Sequence, residues 1–326
     1  MMQSIEKGKN GLFPIWILAA MVLFVSLPFV LPLSWLSLLT EMLILALAAC
    51  ALNLMLGYAG MVSFGPAGLY AVGAYTTALI LVNTKLPFWL ALAAGPVFAG
   101  IVAIVIGWFC VRLTHVYFAL LTLAFSQIIH TIIFGWYAFT KGDDGIVGIP
   151  IPTLLRSIPS YYYFTLSVVA VSVAIMWMIV NSPFGKTLQA LRENPERTEF
   201  IGINVRRYQL AVFVLSGFFL GLAGSVFCGF SKSVFPAYAH WVKSAEMLVV
   251  CLLGGIHNFL GPIVGSLVYI YLDEIITDFT HYWPLILGLV IIALLLFLPG
   301  GIAGAVAEKL SVRSKKTMKA QRYDSR

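Results

Sequence analysis

The chain has 326 residues, of which 61% are hydrophobic and only 10% charged, with a mean hydropathy of +0.97. A soluble domain carries about 25% charged residues, so this composition cannot cover a water-facing surface and excludes a soluble globular protein. The net charge of +7 is no sign of nucleic-acid binding, because the basic residues sit in short loops and a tail, where membrane orientation places them.

Apolar stretches recur at about 12–33, 35–56, 67–83, 88–111, 116–137, 161–181, 209–230, 246–256, 261–279 and 284–300. Lipid offers backbone groups no partners, so helices of about 20 residues are expected across a ~30 Å hydrocarbon core. The expected fold class is all-α: a polytopic transmembrane helix bundle of about ten spans (8–10) with broken or re-entrant helices. The first stretch is too long for a signal-peptide core and no small-residue cleavage site follows it, so it is expected to be a retained span. With the N-terminus in the cytoplasm, fifteen Lys and Arg residues fall inside and five outside. Both termini are therefore expected to be cytoplasmic. The eighth stretch is short, and the second and third are joined by a Gly-rich break. Merging either doubtful pair removes two crossings and keeps this sidedness. Residues 1–308 then form a single transmembrane domain, and 309–326 a basic cytoplasmic tail to which no function is assigned.

In chain order, the first irregular feature is "GYAGMVSFGPAG", Gly57–Gly68. Glycines free the backbone and proline removes a donor, so a continuous helix is not expected here. Irregular backbone at membrane depth is tolerated where it is buried in protein or lines a wet cavity. "LGGIHNFLGPIVG", Leu253–Gly265, has the same character, and its Gly261-Pro262 echoes Gly65-Pro66. Asn53, Gly57, Gly60, Ser63, Phe64, Gly65, Gly254, Gly255 and Gly261 are thus candidates for a translocation path, the alternative being close helix packing. Thr122, Ser126, Gln127 and His130 are polar residues within one span. Ser126 and His130 share a face at i, i+4, so this group lines either a pore or an interhelical contact. Ser126 and Gln127 join the path candidates.

The loop 138–160 is Gly- and Pro-rich and falls outside. Glu41, Glu246, Asp273 and Glu274 are expected toward the outer ends of their spans, which lowers the cost of an intramembrane charge. No buried charge cluster is expected. Cys50, Cys110, Cys228 and Cys251 lie in apolar segments without CxxC spacing and read as packing residues.

The charged centre is "SPFGKTLQALRENPERTEFIGINVRRYQ", Ser182–Gln209. Ser182-Pro183 is a helix start, a capping hydroxyl followed by proline at the first helical position. Asn194-Pro195 repeats it twelve residues later, and Pro195 disfavours a helical Asn194. Gly202 suits the left-handed residue that ends the second piece. The expectation is a cytoplasmic elbow of two short helices, with Phe184, Leu188 and Leu191 on one side. A partner could grip it; a plain solvated connector is equally open. "GKT" at Gly185–Thr187 is no P-loop, because Val180 stands where that motif needs glycine and a membrane helix precedes it.

These residues carry a family resemblance. The segment "NSPFGKTLQALRENPERTEFIGINVRRYQLAVFVLSGFFLGLAGSV" resembles the central loop and following helix of bacterial permease subunits of branched-chain amino-acid ABC importers, the LivM-type family. So do "LNLMLGYAGMVSFGPAGLYAVGAYTTALI", "VYFALLTLAFSQIIHTIIFGW" followed by "GDDGIVGIP", and "EMLVVCLLGGIHNFLGPIVGSLV", in order over roughly residues 35–305. The resemblance implies a non-enzymatic permease domain in the bacterial inner membrane. It implies a second, paralogous permease, two cytoplasmic ATPases that bind ATP and Mg, and a periplasmic binding protein. No cofactor is expected in this chain. The loop 182–208 is then the ATPase-docking segment, with Gly185, Leu188, Arg192, Glu193, Asn194, Glu199, Gly202 and Asn204 as coupling residues. Arg197-Thr198 and Phe200 depart from the small residues frequent in the family. Asp143, Asp144 and Glu246 become candidates for receiving the binding protein. Close relatives import urea or short amides, which is the alternative cargo. An ion-coupled transporter acting alone is the alternative of another class; the peripheral acids speak against it.

Overall fold

Where the chain must satisfy its own backbone, it forms helices, and their lengths decide what each can do. The computed structural model describes residues 24–29, 31–84, 86–279 and scattered positions between 285 and 304. Helix α1 is Leu33–Asn53 and runs into a π-helical turn, Leu54–Tyr58. There follow α2 (Pro66–Asn83), α3 (Phe88–Cys110), α4 (His115–Gly135) and the single turn α5 (Tyr137–Thr140). Strand β1 (Ile146–Val147) precedes α6 (Ile158–Asn181), α7 (Pro183–Glu193), α8 (Pro195–Phe200) and α9 (Val205–Ser231). Strand β2 (Ser233–Val234), α10 (Trp241–Gly254) and α11 (Gly261–Phe279) complete the described elements.

Among the described residues, six helical segments are long and apolar enough to cross a membrane: Leu33–Tyr58, Pro66–Asn83, Phe88–Cys110, His115–Gly135, Ile158–Asn181 and Val205–Ser231. They coincide with the second to seventh expected spans, and the all-α membrane bundle is established. The expected span at 246–256 falls on α10 up to Gly254 and runs on into the turn beyond it; the helix's 14 residues extend about 21 Å, short of the ~30 Å core. The stretch at 261–279 is helical as α11 but is not one of the six. Most of 12–33, most of 284–300, and the tail 309–326 lie outside the described residues.

The centre of the bundle is α1, flanked by α6, α9, α10 and α11. Helix α9 also packs against α2 and α3 in a three-helix seam built on small residues. Gly73 on α2 lies directly on Gly221 of α9, leaving no room for a side chain. Ser225 Oγ donates to the Gly73 carbonyl at 3.2 Å and to Gly221 O at 2.8 Å. Thr77 Oγ1 reaches Ala91 O on α3 at 3.2 Å. Where lipid removes the hydrophobic drive between helices, such close backbone approach and interhelical bonding supply the association. By contrast α3 turns Trp89, Val97, Ile101, Val105 and Trp108 outward. That apolar face suits lipid or another membrane subunit.

The two ends of the bundle differ. At one end β1 pairs antiparallel with β2, Ile146 opposite Val234 and Val147 opposite Ser233. This joins the α4–α6 loop to the segment after α9. At the other end stands the elbow. Ser182 caps α7 by accepting from the Gly185 amide, Asn194 caps α8 by accepting from Arg197 N at 2.9 Å, and Asn204 caps α9 by accepting from Arg207 N at 3.1 Å. Leu188 and Leu191 are buried, and Phe184 stacks on Tyr208 at 5.5 Å between ring centres. Gly202 ends the piece with φ +88 and open space around it. Gly202→Ala is therefore expected to cost about 1 kcal/mol through backbone strain alone, read as a small drop in thermal midpoint of the purified protein.

Candidate functional site

The two Gly-rich breaks, far apart in sequence, meet at the elbow end. The α1 helix loosens into its π turn and stops at Tyr58; Gly60, with φ +70, starts the irregular stretch. Gly57 lies against the carbonyl of Ile256, in the turn between α10 and α11. Within that turn Gly254 and Gly261 touch backbone to backbone, and Gly255 takes φ +103. Asn53 is buried beside Gly57, and neither atom of its amide head has a protein hydrogen-bond partner.

Arg192, near the end of α7, ties these pieces together. Its Nη1 donates to Gly57 O and to Nδ1 of His257 at 3.2 Å. A guanidinium has no acceptor, so His257 accepts at Nδ1. The Arg192 stem also lies across Gly60. One side chain thus holds the elbow, the end of α1 and the α10–α11 turn.

The path from Gly60 climbs inward. Ser63 is buried and its Oγ accepts from Gly65 N at 3.2 Å; Phe64 N donates to Thr122 Oγ1 at 3.2 Å. Thr122 and Ser126 are on α4, and Ser126 Oγ donates to Ala239 O at 3.3 Å. At the start of α2, Ala67 N donates to Ser244 Oγ of α10 at 3.0 Å. Ser126 stands halfway along α4, so α2 and α10 both begin deep within the bundle. Gln127 is half-buried one residue beyond Ser126. The path candidates therefore fall into two groups. Asn53, Gly57, Gly60, Gly254, Gly255 and Gly261 gather at the elbow, while Ser63, Phe64, Gly65 and Ser126 line the interior.

The coupling candidates divide as well. Gly185 is buried against the Val180 backbone and Leu188 is fully buried, so both serve the elbow's own packing. Asn194 and Asn204 are helix caps. Glu193, Glu199 and Gly202 are exposed. Beside them Phe200 and Ile201 are 89% and 74% exposed at the tip. Sequence reasoning noted Phe200 only as a departure; its place one residue before the turn into Gly202 was the available signal.

At the opposite end Asp143 and Asp144 are exposed. Tyr137 donates to Asp144 Oδ2 at 2.7 Å, and the carboxylate beside it raises the phenol's pKa. Glu246 instead faces inward and pairs with Lys243, Nζ to Oε2 at 2.8 Å. Glu41 and Tyr70 share a small gap with this pair, and Asp273 lies within electrostatic range of it. The expectation that charges would not cluster is overturned: α1, α10 and α11 pack together and bring residues 41, 243, 246 and 273 to one place. Lys243, which belongs to the five basic residues that the sidedness rule puts outside, was the member that sequence reasoning missed.

A bundle of apolar helices with interrupted segments meeting inside defines a multi-pass membrane protein of the transporter type. Residues 34–299 match the family described as branched-chain amino acid transport system / permease component. The chain belongs to that family. Relatives include the high-affinity branched-chain amino acid transport system permease protein LivM of Escherichia coli K12, 27% identical over 92% of this chain and 77% of the relative. The LivH protein of the corresponding system in Salmonella typhimurium LT2 is 24% identical over 79% of this chain and 91% of its own. The ribose import permease protein RbsC of Haemophilus influenzae is 28% identical over 44% of this chain and 43% of its own. No solved structure matches.

Proposed function

We propose that this chain is one of two paralogous permease subunits of an ATP-driven importer of branched-chain amino acids in a bacterial inner membrane. Two separate ATPases drive the pair from the cytoplasm, and a periplasmic binding protein supplies the substrate at the opposite face. Kinship with both LivM-type and LivH-type permeases supports a heterologous permease pair.

The observation that carries the coupling reading is the reach of Arg192 from the elbow to Gly57 and His257. ATP binding draws the ATPases together and moves the elbow; Arg192 passes that movement to both helix breaks at once. The breaks yield because glycine contacts, with no side chains to repack, let them slide. Exposed Phe200 and Ile201 give an ATPase groove an apolar knob, with Glu193 and Glu199 around it. Phe200→Asp is expected to lower ATPase co-purification about tenfold while the permease still inserts. Full recovery of the ATPase with that variant would count against this docking mode.

The whole reading is tested by reconstituting the complex in proteoliposomes and measuring leucine uptake. Uptake that requires ATP, both ATPases and the binding protein is expected. Uptake by this chain alone under an ion gradient would refute it, and urea or short amides in place of leucine would replace the cargo. Glu196→Cys, exposed on α8 and outside the apolar knob, should react with an impermeant thiol reagent in inverted vesicles and not in intact cells. The reverse result would place the elbow on the wrong face.

A further inference from the structure

A cleft of about 370 Å³ opens at the end of the bundle away from the elbow. Its wall combines three kinds of chemistry. Phe134, Pro236 and Val242 are apolar; Lys243 is a cation; Glu246 and Asp143 are anions. His130 and His240 close one side, with ring centres 5.3 Å apart. Val242 is exposed, whereas the Lys243 and Glu246 side chains are only about one-fifth exposed.

We propose that this cleft receives the amino acid as a zwitterion, Lys243 taking the carboxylate, Glu246 the ammonium, and the apolar wall the branched side chain. The inference rests on the import of branched-chain amino acids proposed above. Both head groups of an α-amino acid lie on one carbon, so the ligand needs opposite charges held close together. Among the described residues, Lys243 and Glu246 form the one ion pair, one turn apart on α10. When empty, the pair satisfies itself. When occupied, the zwitterion inserts between the two charges and leaves the net charge unchanged. Such a site gives up a known interaction to bind, so it binds weakly and releases readily, as a transfer point must. The N-terminus of α10 also favours a carboxylate there. Behind the pair the buried Oδ1 of Asp273 has no protein hydrogen-bond partner, and Glu41 adds a further carboxylate beside Lys243. That surplus of carboxylates draws the ammonium to the inner side of the cleft and sets the ligand's orientation.

The test uses Val242→Cys in the assembled permease–ATPase complex, labelled before the binding protein is added so that its docking cannot shield the thiol; the chain's four cysteines are all buried. Millimolar leucine is expected to slow labelling of this thiol severalfold. Leucinamide, which lacks the carboxylate, and 4-methylpentanoate, which lacks the ammonium, should not slow it. Lys243→Gln together with Glu246→Gln should abolish the protection and lower uptake about tenfold. An unprotected thiol in a complex that transports leucine would overturn the proposal. Equal protection by the two analogues would also overturn it. If the wild-type complex transports no leucine, the failure lies with the function proposed above and not with this cleft. Should the double variant fail to fold, the three-ligand comparison on Val242→Cys decides alone.

Discussion

Gly73→Val is expected to leave almost no folded protein in the membrane. A side chain at Gly73 would be driven into the carbonyl and Cα of Gly221. Overpacking costs about 1–3 kcal/mol where neighbouring side chains can shift. Here the obstacle is backbone, and α2, α3 and α9 would have to separate along the seam. Separation also breaks the bonds of Ser225 Oγ to the Gly73 carbonyl and of Thr77 Oγ1 to Ala91 O. Gly135→Val is the matched control, because a Cβ there meets nothing. Size-exclusion profiles of the two detergent-extracted variants give the comparison. A monodisperse peak of normal height for Gly73→Val would show that the seam is looser than described.

Arg192→Ala is expected to separate ATP hydrolysis from transport. The variant loses two hydrogen bonds from a charged donor, one to Gly57 O and one to His257. Such bonds contribute about 1.5–3 kcal/mol each where buried, and less here because Arg192 is partly in water. A loss of about 1.4 kcal/mol in coupling is already tenfold. Leu188, Leu191 and the three asparagine and serine caps remain, so the elbow itself keeps its shape. The expected result is near-normal ATPase activity with about tenfold less leucine moved per ATP. Arg192→Lys should recover only part, since the shorter and more strongly hydrated ammonium does not reach the point where Nη1 meets both acceptors. Unchanged uptake with Arg192→Ala would remove this residue from the coupling path.

The elbow was legible from sequence because its signals are local. Ser182-Pro183, Asn194-Pro195 and Gly202 each act through their own backbone, and each took the conformation that chemistry dictates. Six spans were legible for a similar reason, since hydropathy is a property of contiguous residues. What sequence could not give was registration between distant segments. Nothing local in "LGGIHNFLGPIVG" says that Ile256 rests on Gly57. Nothing local in α10 says that Lys243 and Glu246 face Glu41 and Asp273. The polar face of α10 reads in isolation like any water-facing stripe, and only packing against α1 and α11 encloses it. The same limit explains Arg192. A charged residue on a cytoplasmic helix reads as pointing to a partner, whereas part of its reach is turned back to its own chain.

The short β1–β2 pairing has a mechanical consequence. Because Ile146 and Val147 pair with Val234 and Ser233 in an antiparallel ladder, and Tyr161 donates to Val226 O at 2.6 Å, the far ends of α4, α6 and α9 are clasped into one frame. Displacement imposed at the elbow must then swing these helices about that clasp, as tongs swing about a rivet. Spin labels at Val147 and Ser233 should hold a constant separation through the ATP cycle while labels at Glu193 and Arg112 move apart and together.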